Sequence, residues 1–213
     1  MTLRPKKQQL LNLLPKGLVQ TRGPAKDNAL YLTFDDGPHP SCTPRLLDLL
    51  AMHGIRASFF LVGHRAERHP SLVERIVAEG HMIGNHSYSH WSFRPMSLQQ
   101  QVDEFQRADD VLQAFDQRRH HRVRPPQGHL APALLLYCAS HRRSIVYWSY
   151  DSLDYQQGPS SELVARLRAQ PPRAGDILLM HDDSHKATEA LTLLLPEWLA
   201  KGHTFHPLPA DGA

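Results

Sequence analysis

Ala29-Leu30-Tyr31-Leu32-Thr33-Phe34-Asp35-Asp36-Gly37-Pro38 is the stretch from which the rest of this 213-residue chain is read. The apolar run Ala29 to Leu32 is long enough for a buried strand, and it leads into two adjacent carboxylates and a Gly-Pro turn. Neighbouring side chains on a strand face opposite ways and Gly-Pro reverses the chain at once, so both acids belong at the rim of a sheet. Two like charges this close repel, and without a cation or a shared proton one of them is pushed toward neutrality. A metal ion removes the conflict. The blander alternative is an Asx-type turn in which Asp35 or Asp36 caps the next segment of chain.

Downstream, strand and helix signals alternate. Thr43 is placed to cap a helix with Pro44 at its first position, Leu46, Leu47, Leu49 and Leu50 as its apolar face and Gly54 as its stop. Ile55 to Leu61 reads as a second strand. Pro70 opens a helix with Leu72, Val73, Ile76 and Val77 on one face, and Gly80 ends it before a short strand, His81 to Ile83. Ser97 and Gln100 form a capping box ahead of a longer helix that keeps Leu98, Val102, Phe105, Leu112 and Phe115 in helical register. There follow a polar strand near His121 to Arg124, a helix from Pro132 to His141, a strand from Ser144 to Ser149 and a helix from Ser160 to Gln170. A strand from Asp176 to Met180, a helix from Lys186 to Lys201 that Pro196 should kink, and a last strand, Thr204 to Leu208, complete the pattern. Such alternation predicts a parallel sheet covered by helices, doubly wound or closed as a barrel. Residues 1–28 carry Pro5, Pro15, Gly17, Gly23 and Pro24 and read as an irregular lead-in with at most a short helix near Gln8 to Leu14, so the domain proper spans 29–213.

Composition narrows the function classes. An apolar share of 41% and a charged share of 21% suit one soluble domain, and a net charge of +3 without a dense basic run argues against a nucleic-acid partner. Cys42 and Cys138 stand apart, with no second cysteine or histidine at metal-ligand spacing, so no disulfide framework is expected. Asn12 and Pro15 interrupt the leucines at 10–14 below the ~7–15 apolar residues of a signal peptide, and no stretch is long enough to span a membrane. The expected address is cytoplasmic, with the basic, leucine-bearing lead lying against a membrane surface or docking on the domain as the alternatives.

In parallel α/β folds the ligand site lies beyond the C-terminal strand ends. Those ends carry Asp35 and Asp36, His86 and His90, Arg124, Asp151 and Asp154, and His181. Histidines four apart face the same way on a helical turn and suit one metal. With one of the two aspartates they make a three-ligand set that leaves room for water, which is a catalytic arrangement. Ser87 stands where a zincin protease requires Glu. The remaining aspartate is then free to take a proton from bound water, Arg124 to hold that base ionised, and His181 to protonate a leaving group with a carboxylate such as Asp154 aiming it. Taken singly, each has a plainer role: paired surface histidines, a structural ion pair, a strand-end cap.

Together these stretches resemble the polysaccharide deacetylase family, the NodB-type catalytic domain of chitin, peptidoglycan and acetylxylan deacetylases, like carbohydrate esterase family 4. Thr33-Phe34-Asp35-Asp36-Gly37-Pro38 is similar to its first motif and His86-Ser87-Tyr88-Ser89-His90 to its second. Arg124-Pro125-Pro126-Gln127-Gly128, Asp151-Ser152-Leu153-Asp154-Tyr155 and Leu179-Met180-His181 correspond to the third, fourth and fifth, in the family's order over about Ala29 to Leu208. The resemblance implies an α/β fold, a distorted (β/α)7 barrel of parallel strands with helices outside. It implies Asp35 as general base, Asp36, His86 and His90 as ligands of a divalent metal, usually zinc, with Co2+, Ni2+ or Fe2+ as alternatives, and Arg124 positioning the base. His181 becomes the general acid, oriented by Asp154. The backbone N–H of Gln127 faces the oxyanion, and the acetyl methyl group lies against Leu179 and Tyr155. Gln127 replaces a frequent Tyr, and Tyr155 replaces a Trp and reshapes the acyl pocket. The implied reaction is metal-assisted hydrolysis of an acetylated saccharide, N-acetyl first, by a monomer. A small linear or cyclic amide, a lipid-linked sugar and an inactive carbohydrate-binding protein are the alternatives on the same scaffold. Short connections predict a shallow cleft, with Tyr88, Trp91 and Phe93 as candidates to stack on sugar rings.

Overall fold

The computed structural model describes residues 11–210, so part of the short helix expected near Gln8 to Leu14 lies outside them. The longest strand is β2, Ala29–Asp35, and it is the hub. It pairs in parallel with β3, Ser58–Leu61, on one side and with β7, Ile177–His181, on the other. β4, Met82–Asn85, continues the sheet beyond β3, and β6, Tyr150–Asp151, lies beyond β7. Beyond β4 the wall continues through single-residue parallel bridges, Asn85 to Val123 and Val123 to Ile145, where the sequence predicts a strand from His121 to Arg124. β5 is only Ile145–Val146, shorter than the expected strand Ser144 to Ser149, and β6 begins just beyond that range. Parallel strands wrapped by helices, with these weak joints, make the distorted barrel that the resemblance implies.

Val19–Gln20, inside the stretch read as irregular, forms β1 and pairs in parallel with β5, while β8, Thr204–Phe205, pairs with the start of β2. The helices are α1, Thr43–Met52; α2, Gly63–Arg68; α3, Pro70–Ala78; α4, Leu98–Asp116; α5, Pro132–Ser140; α6, Ser160–Ala169; and α7, Lys186–Ala200, which runs through Pro196. α2 has no counterpart in the sequence reading, because six residues with two arginines and a histidine offer no apolar stripe. The capping box at Ser97 and Gln100 is formed. Thr43 is not a cap: its hydroxyl accepts from the His39 N–H at 2.8 Å and donates to Asp182 at 2.6 Å. None of the described helices is long and apolar enough to cross a membrane.

Strand periodicity divides the core in two. Leu30, Leu32, Phe34, Phe59, Leu61, Leu178 and Met180 face the helices, packed with α1 and α7 residues such as Leu46, Leu50, Leu191 and Trp198. The alternate residues, Tyr31, Phe60, Ile177 and Leu179, fill the barrel interior. Thr33, Asp35 and His181 have the same parity, so the strand pleat itself turns Asp35 and His181 to the inner face. β2 and β7 pair Asp35 with His181 in register, which sets the two side by side at the barrel mouth.

A second polar cluster braces the wall behind that mouth. Asp109 on α4 is 1% exposed and accepts from Asn85 Nδ2 at 2.7 Å, with the Arg143 guanidinium 2.7 Å and His121 Nδ1 3.1 Å away. Asn85 Oδ1 in turn accepts the Ser87 N–H at 2.9 Å, which ties the cluster to the loop carrying His86 and His90. Asp109→Ala leaves buried Arg143 uncompensated, so chemical denaturation should show a loss of about 3–5 kcal/mol.

Candidate active site

The acidic turn is fixed by contacts from three sides. Asp36 takes a left-handed φ of 76°, Arg65 Nη1 donates to its carbonyl at 2.5 Å, and the Gly37–Pro38 peptide is cis. Asp182, fully buried behind the turn, donates its N–H to the Asp35 carbonyl at 3.2 Å and holds its carboxyl against Gly37. A Cβ on residue 37 would lie 2.3 Å from Asp182 Oδ2, so the close approach requires glycine. Burial, reinforced by Asp36, pushes the Asp182 carboxyl up to about 7.

Asp35 and Asp36, adjacent in sequence, are treated differently. Asp35 is buried and its Oδ1 accepts from Arg124 Nη1 at 2.6 Å. Arg124 itself is fully buried, with Nη1 also on Thr33 Oγ1 at 2.8 Å, Nε on the Val146 carbonyl and Nη2 on the Tyr147 carbonyl. Its guanidinium lies 4.0 Å over the Phe60 ring. A planar cation held this way can move little, so Asp35 is oriented as well as paired.

Asp36 points instead at the two histidines. Its Oδ1 lies 3.4 Å from His86 Nε2 and 3.1 Å from His90 Nε2, and it is buried without a hydrogen-bond partner among the described residues. Three donor atoms, one each from Asp36, His86 and His90, fall within 4.8 Å of one another. Ligands about 2.0–2.2 Å from a tetrahedral zinc lie roughly 3.3–3.5 Å apart, so the spacing is that of ligands around a cation. An orphaned buried carboxylate oxygen facing two imidazoles fits a metal site. Burial alone would raise the Asp36 carboxyl, but His86, His90 and His181 hold it well below the usual carboxylate range.

The His86–His90 pair is not on a helical turn as its spacing suggests. β4 ends at Asn85 and the loop turns through left-handed residues, Ser87 at φ 66° and His90 at φ 59°. Ser87 Oγ accepts the His90 N–H at 3.0 Å and so braces the second strained position. His86 Nδ1 lies 2.6 Å from the Arg124 carbonyl, which fixes the tautomer and leaves Nε2 free to coordinate. Arg124 thus orients Asp35 through its side chain and His86 through its backbone.

Across the mouth, His181 Nδ1 meets Asp154 Oδ1 at 2.8 Å while Asp154 Oδ2 accepts the His181 N–H at 2.8 Å. Burial alone would lower the His181 pKa, but the charge and hydrogen bond of Asp154 outweigh it and push the imidazole up to about 10. A cavity of about 340 Å³ joins these groups, lined by Asp35, Asp36, His86, His90 and His181 together with Gln127, Tyr155 and Leu179. Every residue expected at the site therefore lies here or directly behind it. Trp148 and Asp151 also line the cavity, and burial raises the Asp151 carboxyl to about 6. Asp151 is visible in sequence as a strand-end acid, whereas Trp148 and Asp182 carry no local signal.

A helix-wrapped parallel barrel with an Asp-His-His donor set beside a spare, oriented carboxylate is the arrangement of a metal-assisted hydrolase. Comparison with known proteins agrees: residues 22–143 match the family model described as polysaccharide deacetylase. The chain is 32% identical over 192 residues to a peptidoglycan-N-acetylglucosamine deacetylase of Bacillus cereus, covering 88% of this chain and 70% of that one. It is also 32% identical over 196 residues to a chitooligosaccharide deacetylase of a Bradyrhizobium strain, covering 85% and 89%. Among solved structures, a peptidoglycan N-acetylglucosamine deacetylase in complex with 4-naphthalen-1-yl-N-oxidanyl-benzamide superposes with a TM-score of 0.84 at 29% identity, covering 91% of each chain. The chain belongs to the polysaccharide deacetylase family.

Proposed function

We propose that the protein hydrolyses acetyl groups, N-acetyl first, from a carbohydrate, with water attacking the amide carbonyl. The observation that carries this reading is Asp35, held by Arg124 at 2.6 Å, beside the Asp36–His86–His90 set and in register with His181. Relatives named for deacetylation of peptidoglycan and chitooligosaccharides support the substrate class.

Asp36, His86 and His90 would hold a divalent cation, zinc first, with Co2+, Ni2+ or Fe2+ as the alternatives. A cation there supplies a Lewis acid for the acyl oxygen and lowers the pKa of water toward ~7. Asp35 takes the proton of the attacking water, and Arg124 keeps that carboxylate aimed. His181, protonated through neutral pH, donates from Nε2 to the departing amine, while Asp154 holds Nδ1. Leu179 and Tyr155 flank the acyl methyl group, and the main chain at Gln127 faces the developing oxyanion. Tyr155 is half exposed, with its ring edge-on to His181 at 5.5 Å, so this wall is looser than a buried tryptophan would make it.

The His181 role predicts a pH profile. The acid form must survive to the protonation step, so activity falls as pH rises through the His181 pKa. Asp154→Asn removes the charge that raises it and should move the alkaline limb of kcat/KM down by about one unit or more. An unmoved limb would assign the proton to another group. For the reaction itself, acetate release from N-acetylated and O-acetylated saccharides by the metal-loaded protein is the test. Release from N-acetyl substrates is expected, and none from any saccharide would refute the reading.

A further inference from the structure

Of the three aromatics behind the histidine pair, two are engaged in the structure. Phe93 is buried edge-to-face on Phe105 at 5.3 Å. Tyr88 donates to Glu67 at 2.8 Å, with the Arg107 guanidinium 3.8 Å over its ring. Trp91, the residue after His90, is 72% exposed. Its loop is not loose. Ser89 Oγ accepts the Trp91 N–H at 3.2 Å and is itself held by Glu104 at 2.8 Å, while Gln101 Nε2 donates to the carbonyls of Phe93 and Met96. An indole on a braced loop forgoes the burial that draws large aromatics inward, and the fold keeps it in water.

Trp91 forms one side of a groove of about 490 Å³ whose other side, on α4, presents Gln100 and Asp103. The groove adjoins the catalytic cavity: His90, which lines that cavity, is the preceding residue, and Ser92 Oγ lies 3.4 Å from Oε1 of Gln127, which lines it too. An apolar plate facing amide and carboxylate groups matches a pyranose, which offers axial C–H bonds on one face and hydroxyls at its edge. Because Asp103 and Glu104 outnumber Arg107 along it, the groove favours a neutral sugar over an acidic one.

We propose that Trp91 is a stacking platform for a neutral sugar residue linked to the one whose acetamido group enters the cavity, so that the enzyme selects oligomers over single sugars. This rests on the deacetylase reading, and the experiment separates the two. Zinc-loaded Asp35→Asn protein, alone and carrying Trp91→Ala or Trp91→Phe, is titrated calorimetrically with N-acetylated β-1,4-linked glucosamine oligomers of increasing length. KM and kcat are measured for the same tryptophan variants in the active protein. Trp91→Ala should weaken binding of the longest oligomers about tenfold and of the single sugar much less, raising KM while kcat holds, and Trp91→Phe should recover most of the loss. A loss equal at every length, or none, overturns the platform while acetate release still upholds the deacetylase. Self-association that Trp91→Ala abolishes would make the indole a contact between copies, also overturning it. No binding and no acetate release at any length would overturn both readings.

Discussion

Asp35→Asn should lower kcat for acetate release by about 10³-fold, with KM and metal content little changed. General-base catalysis contributes roughly 10²–10⁴-fold, and here the base acts on the nucleophile itself. Asparagine keeps the shape and can still accept from Arg124 Nη1, so the turn holds. It cannot take a proton. The buried guanidinium loses its counter-charge but keeps its hydrogen bond, and a fall in thermal stability accompanies the kinetic loss. Metal analysis and rate measurement on one preparation check both halves, and retained activity would remove Asp35 from the mechanism.

Asp36→Ala should give the opposite signature. Removing the carboxylate leaves two imidazoles that cannot close a three-ligand set, so affinity for a divalent cation should drop by more than the ~100-fold typical of losing a supporting group, and activity with it. Isothermal titration with zinc measures the affinity. The protein should still fold, because Asp36 Oδ1 has no hydrogen-bond partner to lose among the described residues, and Arg65 binds the backbone carbonyl instead. Undiminished zinc affinity would contradict the assignment. The pair of variants separates two neighbouring aspartates by what each loses: turnover with metal retained, or the metal itself.

That division of labour was only partly legible in the chain. The residues carrying chemistry are visible because each stands at or just beyond the end of an expected strand, and period-two alternation along β2 and β7 puts Asp35 and His181 on one face. Long-range pairing is not. Val123 alone bridges to Asn85 and to Ile145 where the sequence predicts a strand, with the Arg122 carbonyl and the Arg124 N–H bonded to Asn85 on either side of it. The i, i+4 spacing of His86 and His90 suggested a helical turn, whereas left-handed Ser87 and His90 bring the imidazoles together from a loop. Thr43 looked like a cap but belongs to the brace behind the acidic turn, since Asp182 arrives from 139 residues away. The Arg124 carbonyl that orients His86 is invisible in sequence because a backbone atom of any residue type would serve.

Diffraction at the zinc absorption edge from crystals of the zinc-loaded protein tests the centre of this account. A single anomalous peak bonded to Asp36, His86 and His90, with Asp35 turned toward Arg124 and outside the coordination sphere, is the expected result. A peak elsewhere, or one that takes Asp35 as a ligand and leaves no free base, would contradict it.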